Sequence, residues 1–301
     1  MKKKIISLIF FILLISILIE FSLRLFLGLG NPPLFVADED IGYLYKANQS
    51  LVRFGNEIFY NEFHQRSDPL MKNYGYRILI VGDSITNGGV LINQNKTISE
   101  LLEKKLNKKC NCTGEVLSAS AKSWGIENEW EYIKKFGIFN SGFVILQIGT
   151  HDLLQAKSTS DSLGTHRHPL TKPFAAIYEL LQYKNLEIFE NNINEQSKDI
   201  DYSLQFQKNL NATQNIINFV KERNSTLIVL LTPNRDELDK ETDLKEKEKF
   251  IELLNKNNIT FINLLDKEFG LKKEHFRDGV HLNERGNGFV GNVLFEHIKD
   301  G

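Results

Sequence analysis

The stretch Arg77-Ile-Leu-Ile-Val-Gly-Asp-Ser-Ile-Thr-Asn-Gly88 decides how the rest of the chain is read. An unbroken apolar run, Ile78 to Val81, leads straight into Gly-Asp-Ser. Continuous apolar runs of this length, without alternation, are what strands covered on both faces look like. Four more follow: Glu115–Leu117, Val144–Ile148, Leu227–Leu231 and Thr260–Asn263. Between and after them lie helical patterns over Thr97–Leu106, Glu127–Lys134, Tyr202–Arg223, Lys240–Lys256 and Asn283–Ile298. Strand-helix alternation predicts a parallel α/β sheet with right-handed crossovers and helices on both faces. In such a sheet ligands sit beyond the carboxyl ends of the strands, where Ser84 falls. Asp83 can fix the turn through its side chain. Alone, the stretch is also compatible with an ordinary strand-end turn.

Working outward, Phe276-Arg-Asp-Gly-Val-His-Leu-Asn283 places Asp278 and His281 three apart, just before the last helix. A serine is a poor nucleophile until a base takes its proton. Histidine can take it, and a carboxylate can orient the imidazole and stabilise its charged form. Two further strand ends carry small or polar residues. They are Val116-Leu-Ser-Ala-Ser-Ala-Lys-Ser-Trp-Gly125 and Val144-Ile-Leu-Gln-Ile-Gly-Thr-His-Asp-Leu153, the latter bringing Gly149, His151 and Asp152. A cleft needs such residues for close backbone approach and polar contact.

These four blocks, in this order, resemble the SGNH hydrolase superfamily, the GDSL esterases and lipases, over roughly residues 77–298. The resemblance implies a three-layer flavodoxin-like fold and acyl-ester chemistry without a metal or other cofactor. It casts Ser84 as nucleophile, His281 as base and Asp278 as the orienting carboxylate. Two departures stand out. Where the family has an oxyanion-donating asparagine, this chain has His151, whose N–H can donate with a different reach and charge. The family's oxyanion glycine aligns with Ser123 without gaps, or with Gly125 under a two-residue shift. Losing one such donor costs about 2.7–4 kcal/mol of transition-state stabilisation.

The N-terminus is Met-Lys-Lys-Lys followed by an uncharged run from Ile5 to Ile19, and Ile5 to Leu27 is long enough to span a bilayer. Glu20 and Arg24 can pair on one helix face. Lysines before the span and none immediately after it predict a cytoplasmic N-terminus, with the remainder periplasmic or extracellular. Phe26-Leu-Gly-Leu-Gly30 is a poor cleavage site, so residues 1–30 read as an anchor, with a cleaved signal peptide as the rival. Residues 31–76 read as a stalk with a hairpin turning at Gly55-Asn56, and 77–301 as the main domain. Within that domain, 153–200 form an insertion of the kind that supplies a lid or binding wall. Its Phe174–Tyr183 stretch reads as an amphipathic helix.

The chain has 301 residues, a net charge of −1, 42% hydrophobic and 25% charged residues, which makes no electrostatic case for nucleic acid. His151, Asp152, His166 and His168 are too dispersed to argue a metal site. Cys110 and Cys112, the two cysteines, are separated by one residue. That spacing predicts ordinary thiols rather than a bridge. The composite expectation is a membrane-anchored serine esterase acting on short, acetyl-like esters. Acyl transfer to an envelope polysaccharide, or a catalytically weak glycan-binding module, are the alternatives.

Overall fold

The computed structural model describes residues 2–189, 201–239 and 245–299. Five strands form one sheet: β5 (Arg77–Gly82), β6 (Glu115–Ser120), β7 (Phe143–Gly149), β8 (Thr226–Thr232) and β9 (Thr260–Asn263). They run parallel in the order β6-β5-β7-β8-β9. Each expected strand is present, four of them with longer carboxyl ends. The order reverses between β5 and β7, so a crevice opens there at the carboxyl edge.

Side-chain alternation sorts the two cores. Ile78, Ile80, Ile145 and Ile228 pack towards α3 (Ile98–Cys110) and α8 (Glu284–Ile298), against Leu102, Val290 and Leu294. Leu79, Val81, Leu146 and Val229 face the other way. They meet Ile133 of α4 (Ile126–Phe136), Ile216 of α6 (Tyr202–Glu222) and Phe250 of α7 (Lys245–Lys256). Each fully buried aliphatic contributes roughly 1.5–3 kcal/mol. Side chains cap three of these helices: Thr97 on α3, Asp201 on α6 and Asn283 on α8. The expected start of α7, Lys240 to Leu244, lies outside the described residues, as does 190–200 of the insertion.

The segment before the sheet holds two antiparallel pairs, β1 (Phe35–Asp38) with β2 (Gly42–Tyr45) and β3 (Gln49–Arg53) with β4 (Asn56–Tyr60). Their Phe35, Tyr43, Tyr45 and Tyr60 join the same apolar cluster as Leu79 and Val81. The hairpin turns one residue earlier than expected, at Phe54-Gly55. Both residues have positive φ (50° and 79°), as a tight turn matching strand twist demands.

Cys110 and Cys112 are disulfide-bonded, which corrects the expectation of free thiols. The intervening Asn111 adopts the left-handed conformation (φ 49°) at the end of α3. The chain doubles back there and brings the two Cα atoms to 5.1 Å, within bridging range.

The N-terminal helix α1 (Lys2–Leu27) has no buried residue along its length. Its far end is built into the domain. Glu20 accepts the N–H groups of Ala176 and Ile177, at the start of the insertion helix α5 (Ala176–Phe189). Within the same first turn of α5, Glu179 is buried. It pairs with the fully buried Arg53 at 2.6 Å and accepts the Gly30 N–H at 2.5 Å. Arg53 also donates to the Gly28 carbonyl at 2.9 Å. Removing one partner of a buried pair strands the other charge. Glu179→Ala is expected to cost about 3–5 kcal/mol in denaturant unfolding, and the double variant Arg53→Met/Glu179→Leu to recover most of it.

Candidate active site

β5 delivers Asp83 and Ser84 to the crevice, where α2 (Ser84–Asn87) begins. Asp83 caps this turn, its Oδ1 accepting the Ile85 N–H at 2.7 Å. From the far end of the chain, the loop between Phe276 and Leu282 closes on itself through a β-bridge and the Arg277 N–H to His281 carbonyl bond. This presents His281 to the same place. Its Nε2 lies 2.9 Å from Ser84 Oγ, across 197 positions of sequence. Its Nδ1 lies 2.9 Å from Asp278 Oδ2. Asp278 is itself held by its Oδ1, which accepts the N–H groups of His281 (2.7 Å) and Val280 (2.9 Å). Burial raises the Asp278 carboxyl, but those two N–H groups and the imidazole outweigh it and keep its pKa below the ordinary value. A charged carboxylate calls for a proton on Nδ1, which leaves Nε2 as acceptor for the Ser84 O–H. This arrangement can activate a hydroxyl for attack on a carbonyl.

Beside Ser84 opens a cavity of about 560 Å³, walled by Phe35 and Tyr45 of the β element and by Pro169 of the insertion. At the rim beyond β6, Ser123 is exposed and has φ 60°, the left-handed region that favours glycine. Its N–H meets no acceptor among the described residues, while its carbonyl is held by Gln155 at 2.8 Å and by Ser158. Gly125 is different. Its N–H donates to Asn128 Oδ1 at 3.0 Å, within the cap of α4, and is not available to a ligand. The backbone therefore matches the gapless alignment better than the shifted one.

The model of the GDSL-like Lipase/Acylhydrolase family matches residues 78–294. The chain belongs to this family. As a GDSL-type acylhydrolase it acts on ester bonds. Solved structures with a similar fold include TesA, at 10% identity and TM-score 0.48, with 74% of this chain and 98% of that one covered. Another is the acetyl xylan esterase AlAXEase, at 17% identity and TM-score 0.46 (74% and 99% covered). A third is a lipase/acylhydrolase from Enterococcus faecalis, at 15% identity and TM-score 0.47 (75% and 96% covered). No curated protein sequence matches the chain.

Against the pattern of the GDSL family, the telling departure is His151. It follows β7, and its ring lies against Gly149, where a Cβ would come within 2.5 Å of the imidazole. Nε2 faces two carboxylates, Asp83 Oδ2 at 3.2 Å and Asp152 Oδ1 at 3.3 Å. Burial works against a charged ring, but the Asp83 hydrogen bond and the charges of Asp152 and Asp83 prevail. They lift its pKa to about 9. Asp152, buried and accepting the Gly149 N–H at 2.7 Å, is raised by burial first and by Asp83 second. Among the described residues this is the group whose metal-ligand atoms converge, within 4.8 Å of one another. The two carboxyl groups that the His151 Nε2 faces offset the charge of the imidazolium. His151 thus lies one carboxylate from Ser84, whose Oγ is 3.5 Å from Asp83 Oδ2.

Two residues of this GDSL-type site escape sequence reasoning. Arg66, fully buried, donates to the carbonyls of Asn87 and Ile92, both at 2.5 Å, and to that of Gly89. It thereby clamps the loop that follows Ser84. In sequence it is one arginine in a polar loop. Gln147 in β7, oriented so that both its amide atoms are satisfied, donates to Asp83 Oδ1 at 2.9 Å from beneath. Strand burial makes it look like core.

A histidine whose folded pKa exceeds its unfolded value stabilises the fold fully below pH about 6.5 and loses that contribution as pH rises through about 9. The raised Asp152 carboxyl adds a fall of the same sign as its proton is lost. Stability by denaturant unfolding should therefore decline between these pH values. The NMR signal of the His151 ring should titrate near 9, and a midpoint near 6.5 would refute the ion-pair assignment.

Proposed function

We propose that the chain is a membrane-anchored serine esterase in which Ser84, His281 and Asp278 form the catalytic triad. The observation that carries this reading is the 2.9 Å approach of Ser84 Oγ to His281 Nε2, with Asp278 2.9 Å behind the ring. Ser84 Oγ attacks the ester carbonyl while His281 takes its proton. The same imidazole, now charged and held by Asp278, returns the proton to the departing alcohol. Water, activated in turn by His281, then releases the acyl group from Ser84. The N–H groups of Ser84, at the start of α2, and of Ser123 supply the oxyanion site. The positive charge of His151 adds to it from behind Asp83. In this role His151 would exchange Asp83 for the oxyanion as its hydrogen-bond acceptor. Short acyl groups, acetyl in particular, suit a cavity whose walls are partly charged rather than a long apolar tunnel. Because the cavity is open, a glycan hydroxyl could replace water, giving acyl transfer with the same acyl-enzyme.

A fluorophosphonate probe should label the wild-type protein and leave Ser84→Ala unlabelled. Turnover of p-nitrophenyl acetate should fall at least about a thousandfold in Ser84→Ala and in His281→Ala. Equal labelling of wild type and Ser84→Ala would end this assignment.

We infer further that residues 1–30 are an uncleaved anchor, with the N-terminus in the cytoplasm and the domain periplasmic or extracellular. Support comes from the 26-residue unburied apolar helix and from its lysines at the N-terminal end. Further support comes from the bonds of Glu20, Gly28 and Gly30 to α5 and Arg53, which removal of α1 would strip. Residues 31–76 then form a β element packed on the catalytic domain 77–301, and His166, Arg167 and Pro169 of the insertion a wall of its cleft. The full chain should stay in the membrane pellet after alkaline carbonate washing. Its appearance in the supernatant would count against the anchor.

A further inference from the structure

The cavity beside Ser84 is cationic, although the chain as a whole carries a net charge of −1. Lys122, Arg167 and Arg277 all line it, together with His166. Among the described residues the carboxylate in its lining is Asp278, already engaged by His281 and by two backbone N–H groups. Arg277 reaches over the turn after Ser84, donating to the Gly88 carbonyl at 3.0 Å, and its Nε lies 3.6 Å from Asp278 Oδ2. Lys122 is the decisive group. It stands two residues beyond β6, half-buried, and its ammonium has no carboxylate partner among the described residues. Its charged neighbour is Arg167, of the same sign, and burial together with that charge lowers its pKa. His166 is depressed likewise, by burial and then by Arg167 and Lys122. A partly dehydrated ammonium such as that of Lys122, with no carboxylate partner among the described residues, is stabilised by an anion that enters the cavity beside it.

We propose that the cavity selects an acidic sugar, so that the alcohol moiety of the ester substrate carries a carboxylate or phosphate which Lys122 and Arg167 bind. This deepens the esterase reading and rests on it for the placement of the ester at Ser84. A short acyl group leaves the larger part of the cavity to the alcohol, which is where the cations are. Phe35 and Tyr45, buried and packed on each other, form an apolar part of the same lining. The positive field also accelerates encounter with acidic polymers and makes it sensitive to salt.

The test uses the full chain in detergent, as the Ser84→Ala variant, so that binding is read without turnover. Calorimetry compares trigalacturonate, neutral xylotriose and sn-glycerol 3-phosphate, the last standing for a lipid headgroup. Trigalacturonate should bind at least about tenfold more tightly than xylotriose, and raised ionic strength should narrow the gap. Adding Lys122→Gln should remove most of this preference, Lys122→Glu should reverse it, and Lys122→Arg should retain it. The ratio within each variant guards against a general loss of folding. Equal binding of the two sugars, binding of neither, or tighter binding of glycerol phosphate than of trigalacturonate would overturn the proposal. Wild-type turnover of p-nitrophenyl acetate is measured in parallel. Turnover without acid preference defeats this inference alone, and acid preference without turnover defeats the esterase reading alone.

Discussion

A parallel sheet buried on both faces has one place left for polar chemistry, its carboxyl edge, and the whole protein is organised by that constraint. Within the strands the side chains alternate between two apolar layers, so the backbone hydrogen bonds are sealed from water. The crevice at the strand-order reversal, between β5 and β7, receives Asp83 and Ser84 from one side and His151 and Asp152 from the other. The loop before α8 then drops His281 onto Ser84. At this edge Ser84, His281 and Asp278 meet at hydrogen-bond distance.

Around this point the structure places two opposite electrostatic environments. Behind Ser84, the half-buried His151 ring faces the buried carboxyl groups of Asp83 and Asp152. In front, the cavity gathers lysine, arginine and histidine with one engaged carboxylate among its lining residues. The first environment lies next to the nucleophile, where the proposed oxyanion would form. The second suits a stable negative charge brought in by a ligand. The N-terminal β element serves both, because Arg66 clamps the turn after Ser84 and Phe35 with Tyr45 walls the cavity.

The contact between α1 and α5 ties the apolar N-terminal helix to the insertion that borders the cleft. Glu20 occupies the start of α5 and Glu179 holds the end of the α1 segment through Gly30. The orientation of the cleft relative to α1 is thus set by hydrogen bonds and a buried ion pair rather than by a loose linker.

How much was legible beforehand follows from the range of each interaction. Five apolar runs and their intervening periodicities were enough to specify the strands, the helices and a parallel sheet, because burial on both faces leaves a local mark on composition. Ser84 and the Asp278-x-x-His281 pair were legible because strand-end turns and short loops restrict which residues serve there. The bridge between Cys110 and Cys112 was not legible in their spacing. It depends on a left-handed Asn111, and one residue's backbone conformation leaves no pattern in its neighbours. The direction of the His151 ring, the engagement of Gly125 by Asn128 and the clamp of Arg66 were likewise decided only in three dimensions. Each is a polar contact between segments far apart in the chain, and its partner is chosen by how the strands stack, not by anything adjacent in sequence. The sequence by itself determined which residues could do chemistry. Tertiary structure decided which of them face one another, because hydrogen bonds and charges act over a few ångströms that only packing can close.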